Sequence, residues 1–268
     1  MHQYATRLPY TSPFVARSQP MSPLARAALL VLTALVLVAG GPVRAQQTLK
    51  VAVLGNSPPM SYREADGRLT GFNIEIARAL CAEIGATCSF QETTLNRVID
   101  ALADGEFDFA AISLLDTPER RARVLMSVPY YRSITLWYAK EGVQPGQPGQ
   151  RVAVVRGSAQ EAYARKQGWE TVGVLTHPDI VAPLAAGIAQ GALLPMNSGI
   201  GLQRSPEFQR LGLTPVVVKA PDLLTNVSFA LNPRQTELKA ALDAAIERIK
   251  RNGVYDRINT QFLPFRVY

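Results

Sequence analysis

The sequence predicts an α/β protein of two lobes, each a mostly parallel sheet flanked by helices, connected by a two-strand hinge. Three observations predict this fold. Short apolar segments alternate with amphipathic segments of helical period along residues 49–112, as in consecutive β-α units. The alternation restarts at residue 151, after a stretch rich in glycine and proline at residues 141–150. An extended segment, residues 226–231, then follows and would return the chain to the first lobe.

The first lobe contains three predicted strands and two predicted helices before the chain leaves it. The strands are expected at residues 49–54, 88–91 and 107–112, and the helices at residues 71–84 and 95–103. Parallel sheets place ligands just beyond the carboxyl ends of their strands. We therefore expect the loops that begin at Gly55, Glu92 and Ser113 to converge on one site.

The remaining segments predict the second lobe and the return of the chain. These elements are expected, in order, at residues 134–139, 151–155, 158–167, 172–175, 179–186, 192–194, 216–218, 226–231, 234–252 and 255–262. Two crossings between lobes form a hinge, and residues 134–139 and 226–231 are the predicted crossings. The predicted first lobe is residues 46–136 with 228–268, and the predicted second lobe is residues 137–227.

The first 45 residues have the composition of an export signal. They contain four arginines and no acidic residue, and residues 27–39 are apolar apart from Thr33. A run of thirteen residues is short for a bilayer span, so a signal cleaved after Ala45 is favoured over the alternative of a retained membrane anchor. Met21 begins a signal of ordinary length by itself, which leaves Met1 and Met21 as alternative start sites.

Charge and cysteine content limit the partners of the mature chain. Without residues 1–45 the formal charge falls from +7 to about +3, which predicts no nucleic-acid partner. The two cysteines, Cys81 and Cys88, lie in a chain sent to an oxidising compartment, so a disulfide is expected. The alternative, a metal site, would need further ligands, and His177 is far away in sequence.

Two helix starts follow predicted strands at equivalent places in the two lobes. Residues 116–120 (DTPER) combine a capping residue, a proline suited to the first turn and Arg120. Residues 158–161 (SAQE) form a capping box that begins at Ser158. Each motif alone is also typical of an ordinary surface cap. Open N–H groups at the two starts, together with the Arg120 guanidinium, predict a site for a small anion.

Four segments resemble the polar amino-acid family of bacterial periplasmic solute-binding proteins. They read GFNIEIA at residues 71–77, TPER at 117–120, VPYY at 128–131 and NGVY at 252–255, in the family's order. The resemblance covers essentially the whole mature chain, and the Cys81/Cys88 pair is similar to the disulfide of histidine and lysine-arginine-ornithine binding members. It implies a type II periplasmic binding protein fold, a periplasmic location and a monomer without cofactor.

The resemblance also implies a ligand site. In the family, an arginine matching Arg120 and backbone N–H groups matching Leu115 and Ala159 hold the ligand's α-carboxylate, while Ser57 and Leu95 match residues that sandwich its side chain. The full set of expected ligand-binding residues is Asn56, Ser57, Leu95, Ser113, Leu114, Leu115, Arg120, Ser158, Ala159 and Asn197. No catalytic residue and no metal ligand is expected.

The sequence departs from the family where an ammonium group is usually bound. The family places acidic residues near the positions of Asn56 and Asn197, which offer only neutral hydrogen bonds. Either an acidic residue elsewhere substitutes, or the ligand's nitrogen is altered or absent. Leu115 also replaces a usual hydroxyl residue and Ser57 a usual aromatic one. We therefore expect a pocket less suited to lysine or arginine than those of the family's cation binders.

The resemblance predicts a protein that captures a small carboxylate ligand, an amino acid or a derivative, by hinge closure and delivers it to an ABC transporter permease in the inner membrane. Two alternatives remain: an exported enzyme similar to cyclohexadienyl dehydratases, and a ligand-sensing partner of a membrane receptor. Catalysis in a cleft needs a titratable group at the reacting atom. The predicted cleft loops offer only Glu92 and Asp116 at their edges, and His177 is predicted at a separate helix start.

Overall fold

The structure is a computed structural model, and it describes residues 47–267. The predicted export signal and its cleavage site lie outside these residues. Within them, no helix combines the length and the apolar composition that a membrane crossing requires.

The first sheet has six strands around a parallel centre. The strands run in the order β5-β1-β6-β14-β7, and β8 also pairs with β14. Strands β5, β1 and β6 are parallel to one another, and β14 runs antiparallel to β6. The strands are β1 (Thr48–Leu54), β5 (Thr87–Thr93), β6 (Phe109–Leu115), β7 (Leu125–Met126), β8 (Tyr131–Arg132) and β14 (Asn226–Leu231).

The second sheet repeats this arrangement with five strands. Their order is β11-β10-β12-β9-β13, with β11, β10 and β12 parallel and β9 antiparallel to β12. The strands are β9 (Thr135–Ala139), β10 (Arg151–Val155), β11 (Glu170–Val174), β12 (Gly191–Pro195) and β13 (Thr214–Val217). A small antiparallel sheet of β2 (Asn56–Ser57), β3 (Ser61–Arg63) and β4 (Leu69–Thr70) follows β1.

The helices connect the parallel strands and close the chain. They are α1 (Phe72–Glu83), α2 (Val98–Asp104), α3 (Pro118–Arg121), α4 (Ala159–Lys166), α5 (Val181–Ala185), α6 (Met196–Leu202), α7 (Pro206–Arg210), α8 (Thr236–Arg251) and α9 (Val254–Phe262). A 3-10 turn, Pro178–Ile180, precedes α5, and a second, Pro221–Leu223, precedes β14. The amphipathic α8 buries Leu238, Leu242, Ile246 and Ile249, the face predicted from its period.

Two sheets, each with a parallel centre and helical connections, confirm the predicted α/β fold in two lobes. Of the two predicted crossing segments, Thr135–Ala139 forms the interior strand β9 of the second sheet and β14 is an interior strand of the first. The chain passes between the sheets just before β9 and again between β13 and β14. The division into lobes at residues 136 and 227 stays a prediction.

A disulfide joins the end of α1 to the start of β5. Cys81 and Cys88 are bonded, with their Cα atoms 6.0 Å apart, and neither is available as a metal ligand. The bond closes a short loop, so it supports one helix-strand junction beside a full-sized apolar core. The expected disulfide is therefore present in the structure.

Candidate functional site

A cavity lies between the two sheets and is lined from both. The centre of a water molecule can occupy about 40 Å³ of this cavity. The lining residues come from β6, from β8, and from the carboxyl ends of the other strands with the loops and helices that follow them: Leu54, Ser57, Met60, Ser61, Asn73, Leu95, Ala111, Ile112, Ser113, Leu115, Arg120, Tyr131, Ser133, Ser158, Ala159, Gln160, His177, Pro195, Asn197 and Ser198. This is where parallel sheets place their ligands.

The structure brings most of the predicted ligand-binding residues to this cavity. The eight that line it are Ser57, Leu95, Ser113, Leu115, Arg120, Ser158, Ala159 and Asn197. Leu95 was predicted to begin a helix, but it lies in the turn before α2. Its side chain is buried at the cavity wall.

Asn56 and Leu114 are not among the residues that line the cavity, so their part in ligand binding stays a prediction without support from this geometry. Asn56 is exposed in β2, where it pairs with Tyr62. Leu114 lies between Ser113 and Leu115 on β6, and side chains alternate between the two faces of a strand. Because Ser113 and Leu115 face the cavity, Leu114 is fully buried in the core on the opposite face.

Arg120 lies where the two lobes meet. Its Nη1 donates to the carbonyl oxygen of Leu115 at 2.8 Å and its Nη2 donates to the carbonyl oxygen of Gly157, in the other lobe, at 3.1 Å. Burial lowers the pKa of Arg120 to about 10, while Glu119 and Asp116 oppose the shift. The guanidinium therefore stays protonated at neutral pH, and these bonds fix its orientation at the cavity.

The two predicted helix starts are present, but they differ in length. Thr117 caps α3 by accepting from the N–H of Arg120 at 3.4 Å, and α3 is a single turn of four residues. A turn this short has little dipole, so the guanidinium supplies the anion attraction on this side. In the longer α4, Ser158 accepts from the N–H of Glu161 at 3.0 Å. The first N–H groups of α4, at Ala159, reach the opposite wall.

Asn73, which was not predicted as a site residue, lines the cavity and belongs to a cluster of hydrogen-bonded side chains. Its Nδ2 donates to Ser113 Oγ at 2.9 Å, and its Oδ1 accepts from the Tyr130 hydroxyl at 2.8 Å. Asn73 and Tyr130 are buried, and Ser113 is nearly so. The cluster holds the Ser113 hydroxyl in place at the end of β6.

His177 is a second lining residue that sequence reasoning missed. It is buried, and its Nδ1 is 2.9 Å from Ser57 Oγ, a hydrogen bond between the two lobes. Burial lowers the pKa of His177 to about 4, so the ring is neutral at physiological pH. A single histidine before a proline has no distinguishing pattern, so the sequence offered no signal for this role.

Asn197 places an unpaired acceptor at the cavity. The residue is 5% exposed, and its Oδ1 has no hydrogen-bond partner within the described part of the chain. Burial raises the pKa of the neighbouring Tyr131 hydroxyl to about 12, and the nearby side chains of Ser113 and Asn197 act against this rise. A buried acceptor without a partner is costly, which points to a ligand donor at this position.

Arg120 is the one charged residue among the described residues that line the cavity. The acidic residues of the flanking segments are engaged elsewhere. Asp116 is paired with Arg121, Glu161 accepts from the N–H of Gly157 at 2.7 Å, and Glu92 accepts from Arg63 at 2.7 Å. The Glu92 carboxylate lies beside Gly55, where an added Cβ would be 2.2 Å from its Oε2, but among the described residues no carboxylate lines the cavity.

Two glycines allow the lobes to approach closely beside the cavity. A Cβ added to Gly157 would lie 2.5 Å from Asn96 Cα, and one added to Gly201 would lie 2.4 Å from the carbonyl oxygen of Pro58. Gly157 and Gly201 belong to the second lobe, whereas Asn96 and Pro58 belong to the first. Even a methyl group at these points would hold the lobes apart.

Metal binding has no structural support in residues 47–267. No group of three or more His, Cys, Asp or Glu side chains in that range is arranged to hold a metal ion. The polar atoms at the cavity are hydroxyls, amides, one neutral imidazole and one guanidinium. This set is suited to a small anion with hydrogen-bonding groups.

A family model of the bacterial extracellular solute-binding proteins, family 3, matches residues 49–265. The chain belongs to this family. The match spans both sheets, the cavity and the terminal helices, which confirms the family suggested by the sequence segments.

Curated relatives of this family 3 protein are named as amino-acid-binding proteins. The L-arginine-binding protein of Pseudomonas aeruginosa is 26% identical over 235 residues, which cover 84% of this chain and 91% of the relative. The ABC transporter arginine-binding protein 1 of Escherichia coli is 28% identical over 242 residues, covering 88% and 98%. The solved structure of an ancestral arginine-binding protein bound to arginine has a TM-score of 0.73 at 22% identity, covering 81% and 99%, and it has the same fold.

Proposed function

We propose that this protein binds a small carboxylate-bearing solute, an amino acid or a derivative of one, in the periplasm and delivers it to the permease of an ABC transporter. The observation that carries the proposal is the position of Arg120, the one charged group lining the cavity among the described residues. Its family supports the transport role, and the names of its relatives support the solute class.

Closure of the two lobes is the proposed mechanism of capture. The carboxylate first meets the Arg120 guanidinium at the end of the first sheet, and the second lobe then brings the N-terminal N–H groups of α4 at Ala159 to the same anion. The bonds from Arg120 to Gly157 and from Ser57 to His177 link the lobes in this arrangement. The closed form is what a permease would recognise, and a monomer is sufficient for it.

The proposal includes no catalytic step. Among the described residues, the two titratable groups other than Arg120 that line the cavity are His177, with a pKa of about 4, and Tyr131, with a pKa of about 12. Neither changes protonation near neutral pH, where a general acid or base is most effective. A dehydratase would turn over prephenate or arogenate, so an assay with both compounds checks this part, and turnover would contradict it.

The test of the site compares Arg120→Ala and Arg120→Lys with the unchanged protein. Native mass spectrometry of the protein from the periplasm, followed by release of the bound solute, first identifies the ligand. We expect Arg120→Ala to weaken its binding by on the order of a hundredfold or more, since a buried charged hydrogen-bond pair loses one partner. Arg120→Lys should recover only part of this, because lysine lacks the planar fork of donors.

The matched control is Arg123→Ala, which removes an arginine exposed near the same helix and paired with Asp100. It should leave the calorimetric affinity within about twofold, because exposed ion pairs contribute little. An unchanged affinity in Arg120→Ala would instead show that the carboxylate lies elsewhere.

A further inference from the structure

We infer that the ligand carries an uncharged hydrogen-bond donor, and not an ammonium group, on the carbon next to its carboxylate, so that a 2-hydroxy acid binds better than the amino acid of the same skeleton. This inference rests on the proposed function, in which Arg120 binds the carboxylate. It follows from the charge balance of the cavity, from one buried acceptor and from the size of the space.

The charge balance of the cavity is complete when one carboxylate is bound. Arg120 is the one charged residue among its described lining residues, and a single carboxylate neutralises it. An ammonium group would add a second buried positive charge without a counter-charge, which is unfavourable in a closed site. Asp116 and Glu161 are held by Arg121 and by the N–H of Gly157, and Glu119, in the first turn of α3, is exposed and does not line the cavity.

The buried acceptor is Asn197 Oδ1. Asn197 lines the cavity and is 5% exposed, and this oxygen is buried with no hydrogen-bond partner in the described part of the chain. A hydroxyl group on the ligand supplies one donor to this neutral oxygen and brings no charge with it. A 2-oxo acid has no donor at the same carbon, so it leaves the oxygen unpaired.

The space favours a short skeleton. The centres of water molecules can occupy about 40 Å³ of the cavity, which is room for about three water molecules. The closed cavity therefore suits ligands of a few carbon atoms, and we choose matched sets of three and five carbons as probes.

The experiment is isothermal titration calorimetry on protein expressed from the full chain, purified from the periplasm and freed of bound solute by unfolding and refolding. The three-carbon probes are L-lactate, pyruvate and L-alanine, and the five-carbon probes are L-2-hydroxyisovalerate, its 2-oxo acid and L-valine. In the set that binds, we expect the hydroxy acid to bind at least about tenfold more tightly than the amino acid and more tightly than the oxo acid.

The outcomes separate the inference from the proposed function. An amino acid that binds as tightly as its hydroxy acid overturns the inference and leaves the carboxylate site standing. An oxo acid that binds most tightly overturns the role of Asn197 Oδ1 as an acceptor. Binding of neither set, by a protein that still binds its co-purifying solute, overturns the size argument and the inference with it, and leaves the proposed function standing.

Asn197→Asp tests the same point from the protein side. It keeps the shape of the side chain and adds the missing carboxylate, so the preference for the hydroxy acid over the amino acid should fall by at least about tenfold. The matched control is Gln203→Glu, which adds the same charge at the exposed C-terminal end of the same helix, α6, and should keep the ratio unchanged. If Asn197→Asp left the ratio of the affinities for the hydroxy acid and the amino acid unchanged, Asn197 would not lie next to the ligand's second carbon.

Discussion

His177 connects the two lobes through Ser57 and stays uncharged because it is buried. In the native protein its pKa is about 4, against about 6.5 in the unfolded chain. As the pH falls below 6.5, the unfolded chain takes up a proton that the native protein does not. Stability should therefore be intact at neutral pH and fall progressively between pH 6.5 and about 4.

To test this prediction, the free energy of unfolding is measured in urea for the unchanged protein and for His177→Gln, at about pH 7 and about pH 4.5. The unchanged protein should lose about 2 to 3 kcal/mol more than the variant over this interval, because glutamine cannot titrate. Equal losses in the two proteins would show that His177 is accessible to protons in the native state.

At the residue scale, the sequence predicted the chemistry of the site better than it predicted the complete set of residues that form it. Arg120, Ser158 and Ala159 follow from helix-start motifs and from the family resemblance, and all three line the cavity. Asn73 and His177 did not follow, because a buried asparagine in an amphipathic helix and a single histidine have no distinctive spacing. Their roles depend on packing between elements that are distant in sequence.

At the element scale, the strands were predicted more accurately than the short helices. Strands β10 and β14 have the predicted bounds, since each is a compact apolar run with clear ends. Helix α6 was not predicted, because its sequence MNSGIGL contains two glycines and has low helix propensity. Packing requires those glycines: a Cβ on Gly199 would meet Tyr138, and one on Gly201 would meet Pro58 of the other lobe.

The close contact of α6 gives a prediction in which stability and affinity change in opposite directions. Gly201→Ala should leave the free energy of unfolding unchanged or raise it by up to about 1 kcal/mol, since alanine favours helix. Its Cβ would lie 2.4 Å from the Pro58 carbonyl oxygen in the closed form, so ligand affinity should fall by on the order of tenfold. Urea unfolding and calorimetry with the co-purifying solute measure the two quantities.

Gln203→Ala is the matched control for this prediction, because Gln203 is exposed at the end of the same helix. It should change neither quantity by much. If Gly201→Ala bound the solute with unchanged affinity, ligand binding would not require the lobes to be as close together as they are in this structure.

At the scale of the whole molecule, the topology explains why capture requires movement. The second sheet is built from the consecutive strands β9 to β13, whereas the first sheet takes strands from before them and β14 from after them. The chain therefore passes between the sheets twice, before β9 and before β14. These two passages are the positions where rotation can occur without disturbing either sheet. The cavity is lined by residues of both lobes, so separation of the lobes would open it to a solute.

This topology predicts that the protein freed of solute is more open in solution than the structure described here. Small-angle X-ray scattering of stripped protein should give a larger radius of gyration than the same protein saturated with its co-purifying solute. The saturated sample should fit the scattering curve calculated from residues 47–267. Gly201→Ala should stay closer to the open form at the same solute concentration, because its methyl group opposes closure at Pro58. Identical curves for stripped and saturated protein would contradict capture by hinge closure, and a route into the cavity that needs no lobe movement would then have to exist.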